Sequence, residues 1–317
     1  MTESKEELTK EILSSVSAAT LKKLNEAGFT TLEKLAVTPP KNVEESAGIS
    51  LSLAEKVTGL AIKATLVYQT AEEYYDRRFK SLQRLTTGSK ELDGILAGGL
   101  ETGVITELIG PFSGGKTQLC YTASVLVQRP VEEGGLNGNA LVIDTEGTFL
   151  PERIVQIAET RELDVKQTLH NIKILKIYST RQLEIAVREL PSKLRDMNIK
   201  LLIIDSLASH FRSEYMGREN LAPRQQTLGG ILGNLLRVAE SFNLVCIVTN
   251  QMQGNPTAFG GPKPALGHVM AHAGTHRVML RKGRNNVRIA KIIDSPYLPE
   301  FEAPFVLTER GIEDVPS

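Results

Sequence analysis

Between positions 110 and 117 the chain reads Gly-Pro-Phe-Ser-Gly-Gly-Lys-Thr, a spacing of glycines, lysine and hydroxyl suited to holding phosphate. Gly110, Gly114 and Gly115 let backbone N–H groups close on phosphate oxygens with no Cβ in the way. Lys116 supplies a cation for the β- and γ-phosphates, and Thr117 a hydroxyl for Mg²⁺. The bland alternative is a glycine-rich turn that matches by accident. Two flanking patterns weigh against it: an apolar strand over 104–109 and a helix with Leu119, Ala123, Leu126 and Val127 at apolar positions. That helix presents the positive end of its dipole to an anion. The run Gly110, Pro111, Phe112, Ser113, Gly114, Gly115, Lys116 and Thr117 is therefore expected to bind a nucleoside triphosphate.

Other chemistry sits at strand ends. Leu201, Leu202, Ile203 and Ile204 lead into Asp205. In open parallel sheets ligands bind beyond the carboxyl ends of the strands, which puts Asp205 beside Thr117 as a second magnesium ligand. Asp144-Thr145-Glu146 ends another apolar run, and Glu146 is the candidate to orient and deprotonate an attacking water. Helix capping or plain solvation is the alternative for both acids. Gln251, in Thr249-Asn250-Gln251, ends a third strand within reach of a γ-phosphate. Two long connections follow these strands. One, 209–224, carries Arg212, Arg218 and Arg224; the other, 253–272, is rich in glycine and proline and holds no acid. Loops of that length in a compact domain are functional or disordered.

The elements that must position these residues alternate. Strands are expected over 104–109, 140–144, 172–178, 200–205 and 244–249, with helices near 152–163, 181–190 and 225–242. Near-continuous apolar runs are the pattern of strands buried on both faces, so the core is expected to be α/β with a mostly parallel sheet. A hairpin turning at 283–286 and a last strand at 305–307 close the chain. The span 277–291 holds six basic residues and no acid, and such hairpins are commonly just solvated.

Upstream, residues 1–65 read as short amphipathic helices with capping boxes at Ser4, Thr30 and Ser52. Two segments there repeat a helix–turn–helix pattern around Gly28 and Gly48. They fit either helix-hairpin-helix phosphate contact or a plain bundle with glycine C-caps. Residues 66–84 form a linker with a capping box at Thr70 and the aromatics Tyr68, Tyr74, Tyr75 and Phe79. These dock onto a partner or pack on the chain's own core. Residues 85–317 make the α/β core.

A length of 317 residues suits about two domains, and 37 basic residues balance 37 acidic ones. Bulk charge therefore announces no nucleic acid, and any such surface must be local. Cys120 and Cys246 fall in apolar patterns, as small core residues in a reducing compartment do. The charged N-terminus is not signal-like and no apolar run approaches a membrane span, which suggests a soluble, cytoplasmic protein.

Several runs together resemble the archaeal RadA branch of the RecA/Rad recombinase superfamily. They are TGSKELDGILAGGLETGVITELIG, GKTQL, EEGGLNGNALVIDTEGTF, PERI, LLIIDS, SHFRSEYMGRENLA and TNQ. The resemblance implies a RecA-like ATPase core behind a helix-hairpin-helix domain, with ATP and Mg²⁺ as ligands. The implied activity is DNA-dependent ATP hydrolysis, with homologous pairing and strand exchange by helical filaments on single- and double-stranded DNA. The protein would be nucleoid-associated. Carried over, Arg153 of PERI stacks on adenine, and the 209–224 and 253–272 loops bind DNA, the second through Phe259, Gly260 and Gly261. His268 reaches the neighbouring subunit's γ-phosphate, Asp294 and Pro296 cap the neighbour's ATP, and Tyr68 with Ala71 tethers one protomer to the next. The chain departs from the family pattern in five ways. Tyr68 stands for a phenylalanine, GPFSGGKT for GEFGSGKT, and Leu150 and Asn255 for arginines, and the second loop is shorter. A loading paralogue and a hexameric motor on the same core are the competing readings.

Overall fold

The computed structural model describes residues 16–36, 38–66, 68–194, 197–217, 219–253, 263–266 and 276–316. The chain divides into two compact units, the first ending at Phe79 and the second starting at Lys80. Among the described residues no helix is long and apolar enough to cross a membrane.

The first unit contains α1 (Ala18–Glu26), α2 (Leu32–Ala36), α3 (Pro40–Ala47) and α4 (Leu51–Thr65), and α5 (Ala71–Ser81) runs across the division. Leu24, Leu32, Leu35, Val43, Ala54, Val57 and Ala61 form a closed core among α1–α4. One expected cap is displaced: Ser50 rather than Ser52 opens α4 by accepting from Leu53 N. Thr31 Oγ1 accepts from Lys34 N, and the expected cap at Ser4 lies outside the described residues. Neighbouring Ser and Thr residues offer equivalent oxygens, so the cap is the one standing where helical geometry begins. Thr70 and Glu73 do form the reciprocal box: Thr70 N donates to Glu73, and Glu73 N donates to Thr70 Oγ1. Gly48 takes the left-handed C-cap position of α3. The carbonyls of Gly28 and Gly48 accept from Lys34 Nζ and Lys23 Nζ. α5 buries none of its residues.

The second unit opens with β1 (Arg84–Leu85), α6 (Lys90–Ile95) and β2 (Leu100–Glu101), the two strands pairing antiparallel. The main sheet then begins with β3 (Ile105–Gly110), α7 (Lys116–Leu126), β4 (Asn139–Asp144), α8 (Pro151–Thr160) and α9 (Val165–His170). It continues with β5 (Ile172–Lys176), α10 (Thr180–Lys193), β6 (Ile199–Asp205), α11 (Ser209–Glu214), α12 (Leu221–Phe242) and β7 (Val245–Gln253). Last come the short β8 (Lys263–Pro264), β9 (His276–Lys282), β10 (Val287–Asp294), β11 (Glu302–Thr308) and β12 (Gly311–Glu313).

Across the sheet the order is β5-β4-β6-β7-β3-β9-β10-β11-β12, with β8 paired to β7. From β5 to β9 neighbours run parallel, whereas β10, β11 and β12 are antiparallel. The sheet expected to be mostly parallel is thus mixed. A parallel neighbour needs a long crossover, but the chain after Lys282 turns within a few residues and can add only antiparallel strands. Side-chain alternation feeds two cores. Leu201, Ile203, Val245 and Ile247 join the layer that includes α7, and Leu202, Ile204, Cys246 and Val248 join the layer under α10 and α12. Leu119–Leu126 of α7 are all buried, which fixes the helix that follows the phosphate loop.

Candidate functional site

β3 lies inside the sheet, between β7 and β9, and delivers Gly110 to the rim where the parallel strands end. A Cβ at Gly110 or Gly114 would collide with the Leu280 carbonyl oxygen of β9, so packing demands glycine there in addition to any demand from phosphate. Gly115 is glycine for its backbone, which sits at φ +105°. Ser113 takes φ +62°. Its carbonyl accepts a hydrogen bond from Arg288 Nε of β10 at 3.0 Å, and Arg288 is itself buried. Pro111 and Phe112 face solvent.

Lys116 Nζ donates to the carbonyls of Gly110 and Pro111 at 2.8 and 3.0 Å. Burial pushes its pKa down, opposed by the negative charges of Asp205 and Glu146. Among the described residues the amides of Gly115, Lys116 and Thr117 find no acceptor. They are the free N–H groups of a helix start. Thr117 Oγ1 donates to Asp205 Oδ2 at 2.8 Å, and Thr249 Oγ1 donates to Asp205 Oδ1. Asp205 is buried at the end of β6, and burial raises its pKa despite those two bonds. Open amides, an ammonium, a hydroxyl and a carboxylate side by side fit the phosphates of a magnesium-bound triphosphate.

The two acids after β4 have different surroundings. Asp144 accepts from the amides of Glu146, Gly147 and Thr148 on Oδ1 and of Phe149 on Oδ2, so it caps the turn. Glu146 points the other way. Its Oε1 accepts from Ser206 Oγ at 2.6 Å and from Gln251 Nε2 at 2.7 Å. Gln251 Oε1 in turn accepts from Arg212 Nη1 at 2.8 Å. Arg224 Nη2 donates to the carbonyl of Ala265, whose own amide donates to Gln251 O.

Five expected contributors lie elsewhere. Arg153 spends the edges of its guanidinium inside the chain, on Gln118, Gln156, Thr308 and Glu309, which leaves a face for stacking. Asp294 pairs with Arg277, level with Glu107, and leaves the sheet with Pro296 at the rim where the parallel strands begin. That rim is opposite the phosphate loop. Tyr68 and Ala71 are exposed in the first unit. Arg218, Phe259, Gly260, Gly261 and His268 lie outside the described residues.

Sequence reasoning missed Ser206, Thr249 and Arg288. Ser206 and Thr249 stood inside the runs LLIIDS and TNQ, directly beside chosen residues. Arg288 stood in the basic span 277–291, four of whose six basic members, Arg288 included, turn out to be engaged. Arg277 binds Glu107, Arg281 binds Glu302, and Lys291 binds Glu300.

A phosphate loop leaving an inner strand, with carboxylates ending the parallel strands β4 and β6, defines a P-loop α/β protein of RecA-like fold. A family model described as Rad51 matches residues 77–315. The chain is 46% identical over 306 residues to the DNA repair and recombination protein RadA of Metallosphaera sedula, covering 95% of this chain and 94% of that one. It is 44% identical over 307 residues to the protein of the same name from Aeropyrum pernix, covering 95% of each. The chain belongs to the Rad51/RadA family of recombinases within the RecA/Rad superfamily.

Proposed function

We propose that this chain is a DNA-dependent ATPase that assembles on single-stranded DNA as a helical filament and carries out homologous pairing and strand exchange. The observation that carries this reading is one hydrogen-bonded line from the phosphate side to the arginine loop. Glu146 at the end of β4 is joined through Gln251 at the end of β7 to Arg212 on α11. A phosphate-binding loop alone would serve any nucleotide-binding protein; the link to the exposed Arg212 fits one whose hydrolysis answers to a polyanion.

In this reading the amides of residues 115–117 and the Lys116 ammonium hold the triphosphate, and Thr117 and Asp205 would hold Mg²⁺. When bound, Mg²⁺ would supply positive charge to offset that of the phosphates. Glu146 takes the proton of the attacking water, and the products are ADP and phosphate. Arg153 offers its free face to adenine. Arg212, Arg218 and Arg224 contact DNA phosphates, and Phe259, Gly260 and Gly261 extend that surface. Asp294, Pro296 and His268 act on the adjoining subunit's nucleotide, and Tyr68 with Ala71 docks on its core. The relatives named as DNA repair and recombination proteins support the same reading.

The test is electron microscopy of the full chain with ATP, Mg²⁺ and single-stranded DNA, beside a strand-exchange assay. Helical filaments with exchange support the proposal. Closed rings favour a hexameric motor, and filaments without exchange favour a loading paralogue.

A further inference from the structure

Gln251 is occupied at both ends. A carboxamide has one acceptor and one donor group; here the oxygen receives Arg212 at 2.8 Å and the nitrogen gives to Glu146 at 2.7 Å. Arg212 donates only, so it fixes which end of the amide faces it and turns the NH₂ towards the carboxylate. Ser206 Oγ bonds the same Glu146 oxygen at 2.6 Å, and that oxygen is then saturated. Bonds in such a line polarise one another, so removing the cation at one end loosens the contact at the other. The line runs along an open cleft of about 650 Å³ whose walls include Glu146, Ser209, Arg212, Arg224 and Gln251. Arg212 is solvent-exposed, and its partner in the line is a neutral amide. A phosphodiester oxygen is the stronger acceptor for a guanidinium.

We infer that Arg212 is a positioning residue for hydrolysis: by holding Gln251 against Glu146 it keeps both side chains parked, and a DNA phosphodiester that takes Arg212 releases them. This rests on the proposed function. It adds a restraint inside the DNA-free subunit, so that DNA acts by removing a contact as well as by making one. Arg224 supports the same restraint from behind, because its bond to Ala265 O holds the segment whose amide caps Gln251 O.

The test compares the unmutated full chain with Arg212→Met, which fills similar space and cannot donate, and Arg212→Lys, which can. Steady-state ATP hydrolysis is measured without DNA and with saturating poly(dT), and thermal melting serves as a check on folding. Arg212→Met should raise the DNA-free kcat roughly three- to tenfold, the range expected for losing one exposed charge-assisted bond. KM for ATP should stay unchanged and the stimulation ratio should fall. Arg212→Lys should remain close to the unmutated rate. Arg212 acting solely as a DNA contact would leave the DNA-free kcat unchanged, and that result overturns the inference. A lowered kcat, or a KM change with a lower melting temperature, overturns it in favour of a structural role. Failure of the unmutated chain to hydrolyse ATP, or to respond to poly(dT), would instead remove the proposed function on which the inference stands.

Discussion

The two halves of the site are built in opposite ways. Around Lys116, Thr117 and Asp205, position comes from main chain and burial: strand pairing, a helix start, a carbonyl of β9 crowding Gly110 and Gly114, and an aspartate sealed beneath two threonines. Around Glu146, Gln251 and Arg212, position comes from side chains bonding side chains along an open cleft. A bond on an exposed, flexible side chain breaks at small cost, while a buried charge or a carbonyl contact does not move alone. The first half suits a ligand that must always be gripped, and the second suits a step that must be switched.

Substitutions should separate the halves, from the largest effect to the smallest. Glu146→Gln should lower kcat by roughly 10²–10⁴, since the amide keeps the shape but cannot take a proton. Its affinity for ATP, read by equilibrium titration, should hold; a rate equal to that of the unmutated chain would identify another base. Lys116→Ala should act on the other quantity. Losing a charged donor to the phosphates should weaken ATP binding about 10- to 100-fold, and the same titration measures it. Gly110→Ala should lower stability by about 1–3 kcal/mol, because a Cβ there meets the Leu280 carbonyl and β9 must shift. Chemical denaturation of the nucleotide-free chain reads this directly, and an unperturbed midpoint would show that the loop half is softer than described.

Asp205→Asn should have the opposite sign. Burial raises the pKa of Asp205, so the folded state favours its protonated form more than the unfolded chain does. Nucleotide-free stability should therefore fall as pH rises through that raised pKa. The asparagine variant should lose this dependence and be about 1 kcal/mol more stable at neutral pH while binding Mg²⁺–ATP less well. Melting curves taken from mildly acidic to neutral pH, with and without the nucleotide, test both statements. A variant less stable at neutral pH would mean that the two threonine bonds outweigh the cost of burial.

How much could be seen in the sequence follows the same division. The phosphate loop and Asp205 are local patterns, each within a run of a few residues, so they were legible. The turn-capping role of Asp144 was not foreseen, helix capping and solvation being the alternatives weighed, because a carboxylate ending a strand reads the same whether it faces ligand or amide. The line from Ser206 through Glu146 and Gln251 to Arg212 joins three strand ends and a helix, and only the folded sheet brings those together. Arg288 lies 175 positions from Ser113, which it holds, and a basic hairpin carries no mark of which members are buried. Even the antiparallel edge was half visible: the hairpin was expected, but the order in which it extended the sheet was not.

The placement of Asp294 and Pro296 has a further consequence. They leave the sheet at one rim while the phosphate loop leaves at the other. In the proposed assembly each subunit therefore gives a cap on one side and needs one on the other. Contacts of that head-to-tail kind add units without closing unless the rotation sums to a full turn. Such a polymer has two unlike ends, one terminating in a nucleotide left without a cap and the other in a cap with no nucleotide beneath it. Growth and shortening then have a built-in direction, because ATP is held less completely in the terminal subunit at one end than in any subunit behind it.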